Sequence, residues 1–229
     1  MTSLAVVLLL AAPGAGEAPA PAWPKEIACA KGTQPAPSRG RPPPPPGAAP
    51  TDVSPEVTQF VCKDAQGKKQ GPFIARTDAG VITARGAFVD DAADGQWTFY
   101  TPDGKKLAEM KASRGVPSGD TLIFYPSGKL RGRASPDAGG TILINETFYE
   151  SGAKASVHVL DRRTNAGHYT GFYESGPKSS EGTTAGAERR GTWHEYDQSG
   201  QLVVTATYDD QGKMKSCEGS GCPADAPKP

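Results

Sequence analysis

The sequence predicts an all-β protein: an extended antiparallel sheet of about six stacked β-hairpins, each built from a unit of 24 residues. Three observations carry that reading. Glycine returns every 24 residues, at Gly80, Gly104, Gly128, Gly152, Gly176 and Gly200. A second series lies nine residues earlier, at Gly71, Gly95, Gly119, Gly167 and Gly191, with Leu143 the one member that breaks it. Aromatic pairs keep nearly the same step, since Phe99-Tyr100, Phe124-Tyr125, Phe148-Tyr149 and Phe172-Tyr173 are spaced by 25, 24 and 24 residues.

The unit from Gly95 to Met110 shows why a hairpin is expected. A β-propensive run, Gln96 to Tyr100, meets Pro102-Asp103-Gly104 and then a second run. Proline presets φ for the turn, and glycine supplies the left-handed residue that lets the hairpin close. Pro126-Ser127-Gly128, Glu150-Ser151-Gly152, Glu174-Ser175-Gly176 and Asp197-Gln198-Ser199-Gly200 repeat the device. Because neighbouring strand residues face opposite ways, the aromatic pairs predict two ladders. Phe99, Phe124, Phe148 and Phe172 are expected on one face, and Tyr100, Tyr125, Tyr149 and Tyr173 on the other. The pattern weakens at Ala75-Arg76 and Glu195-Tyr196, as the terminal units of an array should.

Four segments follow from composition. Residues 1–18 carry the apolar run Leu4 to Ala12, too short to span a bilayer but long enough for the core of a signal peptide. Residues 19–56 are rich in proline and alanine, include Pro42 to Pro46, and are expected to form a stiff linker that holds Cys29. The repeat domain occupies 57–212, opened by a strand from Val57 to Cys62 that protects the first sheet edge, with Cys29 positioned to tie the linker across it. Residues 213–229 are expected to form a cysteine loop followed by a disordered tail.

With 28 Gly, 22 Pro and 36% hydrophobic residues in 229, the chain suits a layered or solenoid fold better than a large conventional core. Its 25 basic residues balance 25 acidic ones, which removes the field that drives non-specific nucleic-acid binding. The four cysteines allow three pairings. Cys29 with Cys62 and Cys217 with Cys222 place one bridge at each end of the array, as in a protein of an oxidising compartment, secreted or periplasmic. A four-thiolate zinc site would lack the usual paired spacing.

Chemistry-bearing constellations are absent from the pattern. His158, His168 and His194 fall in different units, and Ser151, Ser175 and Ser199 repeat as turn residues where a catalytic serine would occur once. No catalytic residue, metal or cofactor is expected. Two recurring sets remain as a possible binding face. One is the tyrosine ladder; the other is Lys105, Lys129, Lys154 and Lys178, which follow the turn glycines and would stand about 10 Å apart along one edge. Each has an ordinary alternative, the tyrosines as packing and the lysines as solubilising groups beside turns.

The unit Gly-x-Trp-x-x-Tyr followed by a turn glycine, at Gly95 to Gly104 and again at Gly191 to Gly200, resembles the MORN repeat variants of many bacterial proteins. The likeness extends over residues 71–212, although no tryptophan occupies the units of Tyr125 or Tyr149. It implies a sheet of stacked hairpins and a protein that binds or scaffolds without catalysing. The expectation is therefore a secreted or periplasmic scaffold for a protein or polysaccharide. The alternatives are an envelope-associated scaffold on anionic lipid headgroups and, because some bacterial relatives are described as antitoxins, an antitoxin-like binding protein.

Overall fold

A computed structural model describes residues 22–41 and 56–228, so the expected signal peptide at 1–18 and the run Pro42 to Pro46 lie outside the described residues. Strands β1 (Gln34–Pro35) and β2 (Ser38–Gly40) precede β3 (Val57–Lys63). Then follow, in chain order, β4 (Lys69–Arg76), β5 (Ile82–Val89), β6 (Ala92–Tyr100), β7 (Lys106–Ser113), β8 (Val116–Phe124) and β9 (Leu130–Pro136). The series ends with β10 (Ile142–Phe148), β11 (Lys154–Asp161), β12 (Ala166–Phe172), β13 (Lys178–Ala185), β14 (Glu188–Tyr196), β15 (Leu202–Tyr208) and β16 (Met214–Glu218). All belong to one open 16-stranded sheet, and from β3 to β16 each strand pairs antiparallel with the next. The all-β fold and the succession of hairpins are as the sequence predicts.

The turn glycines hold register for the expected reason. At Gly128, φ is +85°, its N–H donates to the Tyr125 carbonyl at 2.8 Å, and the Tyr125 N–H donates to the Lys129 carbonyl at 2.8 Å. That is a tight turn closed by a left-handed residue. A Cβ there would meet nothing within 4 Å, so only backbone strain opposes substitution. Gly128→Val is expected to lower stability by about 1–3 kcal/mol; thermal melts of variant and parent that coincide would contradict the turn geometry.

The second glycine series has two causes that the sequence does not separate. Gly95 has φ +76° and sits in a bulge, because Asp94 pairs with Ala87 while Thr98 pairs with Arg85. Gly71, Gly119 and Gly191 also have positive φ beside register shifts. Gly167 does not. There a Cβ would stand 2.5 Å from Thr184 Oγ1 and 2.7 Å from His158 Nε2, so crowding selects glycine. The ladders of β10 with β9 and of β12 with β11 run without a bulge, and Leu143 is tolerated because nothing there demands a left-handed residue. β6, β8 and β14 are accordingly 9 residues long, and β10 and β12 are 7.

Registered pairs define an inner face. Its central row runs Phe73, Gly86, Trp97, Met110, Thr121, Ala134, Asn145, His158, Tyr169, Gly182, Trp193 and Ala206, one residue per strand. At the N-terminal end Trp97 is 2% exposed and packs with Phe73, Phe88 and Phe99 at centroid distances of 5.4, 5.1 and 6.0 Å. Its indole lies against Gly86, just as Trp193 lies against Gly182. A glycine on the preceding strand makes room for each tryptophan. Between these ends the row turns polar.

Both ends of the sheet differ from the sequence expectation. The described part of the 19–56 segment is not a bare spacer: Ile27 is 3% exposed and packs with Phe60, Cys62 and Ile74, and Trp23 meets Phe60 edge-on at 5.7 Å. β1 and β2 then pair with the free edge of β3. Composition hid this because two large apolar residues among prolines suffice for a small core. At the other end the tail beyond residue 213 forms β16, and the Cys217 N–H donates to the Pro227 carbonyl at 2.8 Å. Disulfides pin both covers, Cys29 to Cys62 and Cys217 to Cys222, with Cα–Cα distances of 5.6 and 5.9 Å. That is the sequence-local pairing.

Candidate binding faces

The tyrosines do not form one ladder. Phe99-Tyr100 is one residue out of step with the other pairs, the physical content of the 25-residue interval. Tyr100 pairs with Lys106 where Phe124 pairs with Leu130, Phe148 with Lys154, Phe172 with Lys178 and Tyr196 with Leu202. The structural column is therefore Tyr100, Phe124, Phe148, Phe172 and Tyr196. Tyr125, Tyr149 and Tyr173 instead begin the turns and reach into the next unit. Their hydroxyls donate to the carbonyls of Phe148, Phe172 and Tyr196, each at 2.7 Å. Half-buried and hydrogen-bonded, they join neighbouring hairpins. Tyr149→Phe is expected to cost about 1 kcal/mol; an unchanged urea midpoint would remove the joining role.

The lysines fall into two structural classes. Lys105 and Lys129 directly follow turn glycines, whereas Lys154 and Lys178 open strands β11 and β13. Each ammonium group has an intramolecular partner. Lys105 lies 3.5 Å from Asp103, Lys129 donates to the Glu150 carbonyl at 2.8 Å, Lys154 to Glu146 at 2.7 Å and Lys178 to Glu181 at 2.8 Å. They do not make a single row of free cations.

The charges concentrate on the outer face. One of its rows runs Thr98, Glu109, Leu122, Arg133, Glu146, Val157, Thr170, Glu181 and His194. Glu146, 11% exposed, accepts from Lys154 and Arg133 together. The Lys154 hydrogen bond and then that of Arg133 hold its carboxyl below the ordinary carboxylate range. Because the folded pKa lies below the unfolded one, this contribution is full above the ordinary glutamate value of 4.5 and is lost as pH falls through the lower, folded value. Glu146→Gln is therefore expected to flatten the decline of stability below pH 4.5. Identical acid profiles of variant and parent would contradict it.

The inner face between the two tryptophans is different in kind. Asn145 is opposite His158, and His158 opposite Tyr169. His158 Nε2 is 2.8 Å from Thr184 Oγ1, and burial pushes the imidazole below its ordinary pKa. Tyr169 stacks on Trp193 at 5.7 Å, and the Arg189 guanidinium covers the indole at 4.2 Å. Thr147 and Ser156 share a hydroxyl hydrogen bond of 2.7 Å in the adjacent row. Sequence reasoning singled out none of these as a group, because the unit's tryptophan position carries different residue types in successive repeats. The signal was present in the 24-residue column Trp97, Thr121, Asn145, Tyr169, Trp193. Among the described residues, no group of three His, Cys, Asp or Glu is arranged to hold a metal ion.

With the strand pattern of β14 and β15 established, one comparison bears on the repeat. Residues 189–210 match the family model of the MORN repeat variant. The matched segment holds Gly191, Trp193, Tyr196 and Gly200, the four positions on which the resemblance of the Gly95 unit also rests. The matched segment spans nearly all of β14 and the whole of β15, and Trp193 over Gly182 is the counterpart of Trp97 over Gly86. No curated protein matches the chain.

Proposed function

We propose that the protein is a non-enzymatic scaffold of MORN-variant hairpins that acts outside the cytosol, presenting a sheet face to a protein or polysaccharide partner. The observation that carries this reading is the recurrence of one hairpin across the sheet, with the MORN-variant match in its last full unit. Such repeats generally serve as binding or scaffolding modules. The two disulfides support an oxidising, extracytoplasmic location. An anionic-lipid role for the lysines is disfavoured by their intramolecular partners.

Affinity in a repeat array accumulates from modest contacts along a preformed face. Tagged protein incubated with envelope extract is expected to retain a partner whose binding weakens little on a substitution in one unit and is lost when three consecutive units are changed. A partner lost on a single substitution, with circular dichroism unchanged, would mark a localised site and overturn the distributed scaffold.

A further inference from the structure

The inner face from β8 to β13 carries no charged side chain on its registered rows, although these strands bear Arg133, Glu146, Lys154 and Glu181 on the other side. What faces inward is hydroxyl, amide, imidazole, glycine and a few half-buried aliphatic groups. Thr121, Asn145, His158 and Tyr169 belong to the central row, with Thr147 and Ser156 beside them. In the second row Gly132 stands beside Thr147, and Gly171 stands between Ser156 and Ser180. Among the described residues, the Asn145 amide and the Tyr169 hydroxyl have no hydrogen-bond partner, and both side chains are only half buried.

We infer that this charge-free stretch of the inner face is a binding site for an uncharged polysaccharide, with the Tyr169 hydroxyl, held in place by the stacking of its ring on Trp193, and the Asn145 amide as its hydrogen-bonding groups. The assignment deepens the scaffold reading and rests on it. Charge complementarity selects the ligand class: an ionic polymer brought here would lose hydration without meeting a counter-charge, whereas sugar hydroxyls find donors and acceptors of their own kind. Burial keeps the His158 imidazole below its ordinary pKa, so at neutral pH it adds a hydrogen-bonding group and no charge. An aromatic ring beside a few convergent polar groups is the usual composition of a site for a small polar ligand. Six strands at about 4.8 Å apart make a track of about 24 Å, long enough for several sugar rings. The bulge-free ladders at Leu143 and Gly167 keep this part of the face regular, and it is bounded by Met110 on β7 and, on β14, by Trp193 under the Arg189 guanidinium.

The test is affinity electrophoresis of the full chain through gels containing hydroxyethylcellulose, laminarin or dextran, with alginate as the anionic control. At least one neutral polymer is expected to retard the protein and alginate not to. Asn145→Asp, nearly isosteric, places a charge on the face and should weaken retardation about tenfold or more. Tyr169→Ala should do likewise, and Lys111→Gln on the outer face should leave it unchanged. Should Tyr169→Ala unfold, the Asn145→Asp arm alone decides. No retardation by any neutral polymer overturns the assignment, as does retardation that Asn145→Asp leaves intact. If the neutral gels are blank but envelope extract still yields a protein partner sensitive to three-unit changes, the polysaccharide assignment falls and the scaffold stands. If both are blank, both fall.

Discussion

Trp97→Ala is expected to destabilise the protein by about 3–5 kcal/mol, among the largest effects of any single side-chain truncation in the sheet. The indole is 2% exposed, touches three phenylalanines and lies directly on Gly86. Its removal leaves a cavity that the backbone cannot fill, because Gly86 offers no side chain to follow it. The reciprocal change makes the same point from the other side. Gly86→Ala would place a Cβ 2.2 Å from indole Cδ2, and the backbone at Gly86 is not left-handed, so the whole cost is steric. Overpacking of this kind costs about 1–3 kcal/mol, and more where a buried ring must leave its place. Urea unfolding with matched slopes measures both. Midpoints of either variant within error of the parent would show that the Trp97 cluster does not hold the N-terminal hairpins together.

Loss of the Cys29–Cys62 disulfide is expected to be the other large effect, and to exceed loss of Cys217–Cys222. Closing a loop across a separation of 33 residues constrains the unfolded chain by about 4 kcal/mol, and across 5 residues by about 2 kcal/mol. Packing adds to the difference. Cys62 is 1% exposed in the small core of Ile27, Phe60 and Ile74, and the segment it holds covers the edge of β3. The shorter bridge fastens a peripheral loop against Val204 and Ala206. Cys29→Ala/Cys62→Ala compared with Cys217→Ser/Cys222→Ser by thermal melting separates the two. Equal shifts, or a larger one for the C-terminal pair, would contradict the account.

The hairpin unit was legible because its turn requires a left-handed residue, and at Gly128 only that requirement operates. Positions where glycine answers crowding look the same in sequence, which is why Gly95 and Gly167 share a register without sharing a cause. The strand faces were less legible. A single-residue offset at Phe99-Tyr100 moves side chains to the opposite face, so an aromatic pair alone did not place Tyr125, Tyr149 and Tyr173 in the turns, nor foresee their bonds to the next unit's carbonyls. Trp23 and Ile27 were obscured by the prolines around them. The charge-free inner face is visible only once register pairs each strand with its neighbours, since charged residues stand beside its members in the chain and on the opposite side of the sheet.

Amide hydrogen exchange of the full-length protein, resolved by residue, tests most directly the claim that one hairpin unit builds a continuous sheet from β3 to β16. Slow exchange is expected in every strand from Val57 to Glu218, interrupted at the turn glycines with a 24-residue period and running without a gap across the polar units of Asn145 and Tyr169. Protection confined to the MORN-variant segment at 189–210, or broken between the Trp97 and Trp193 ends, would contradict it.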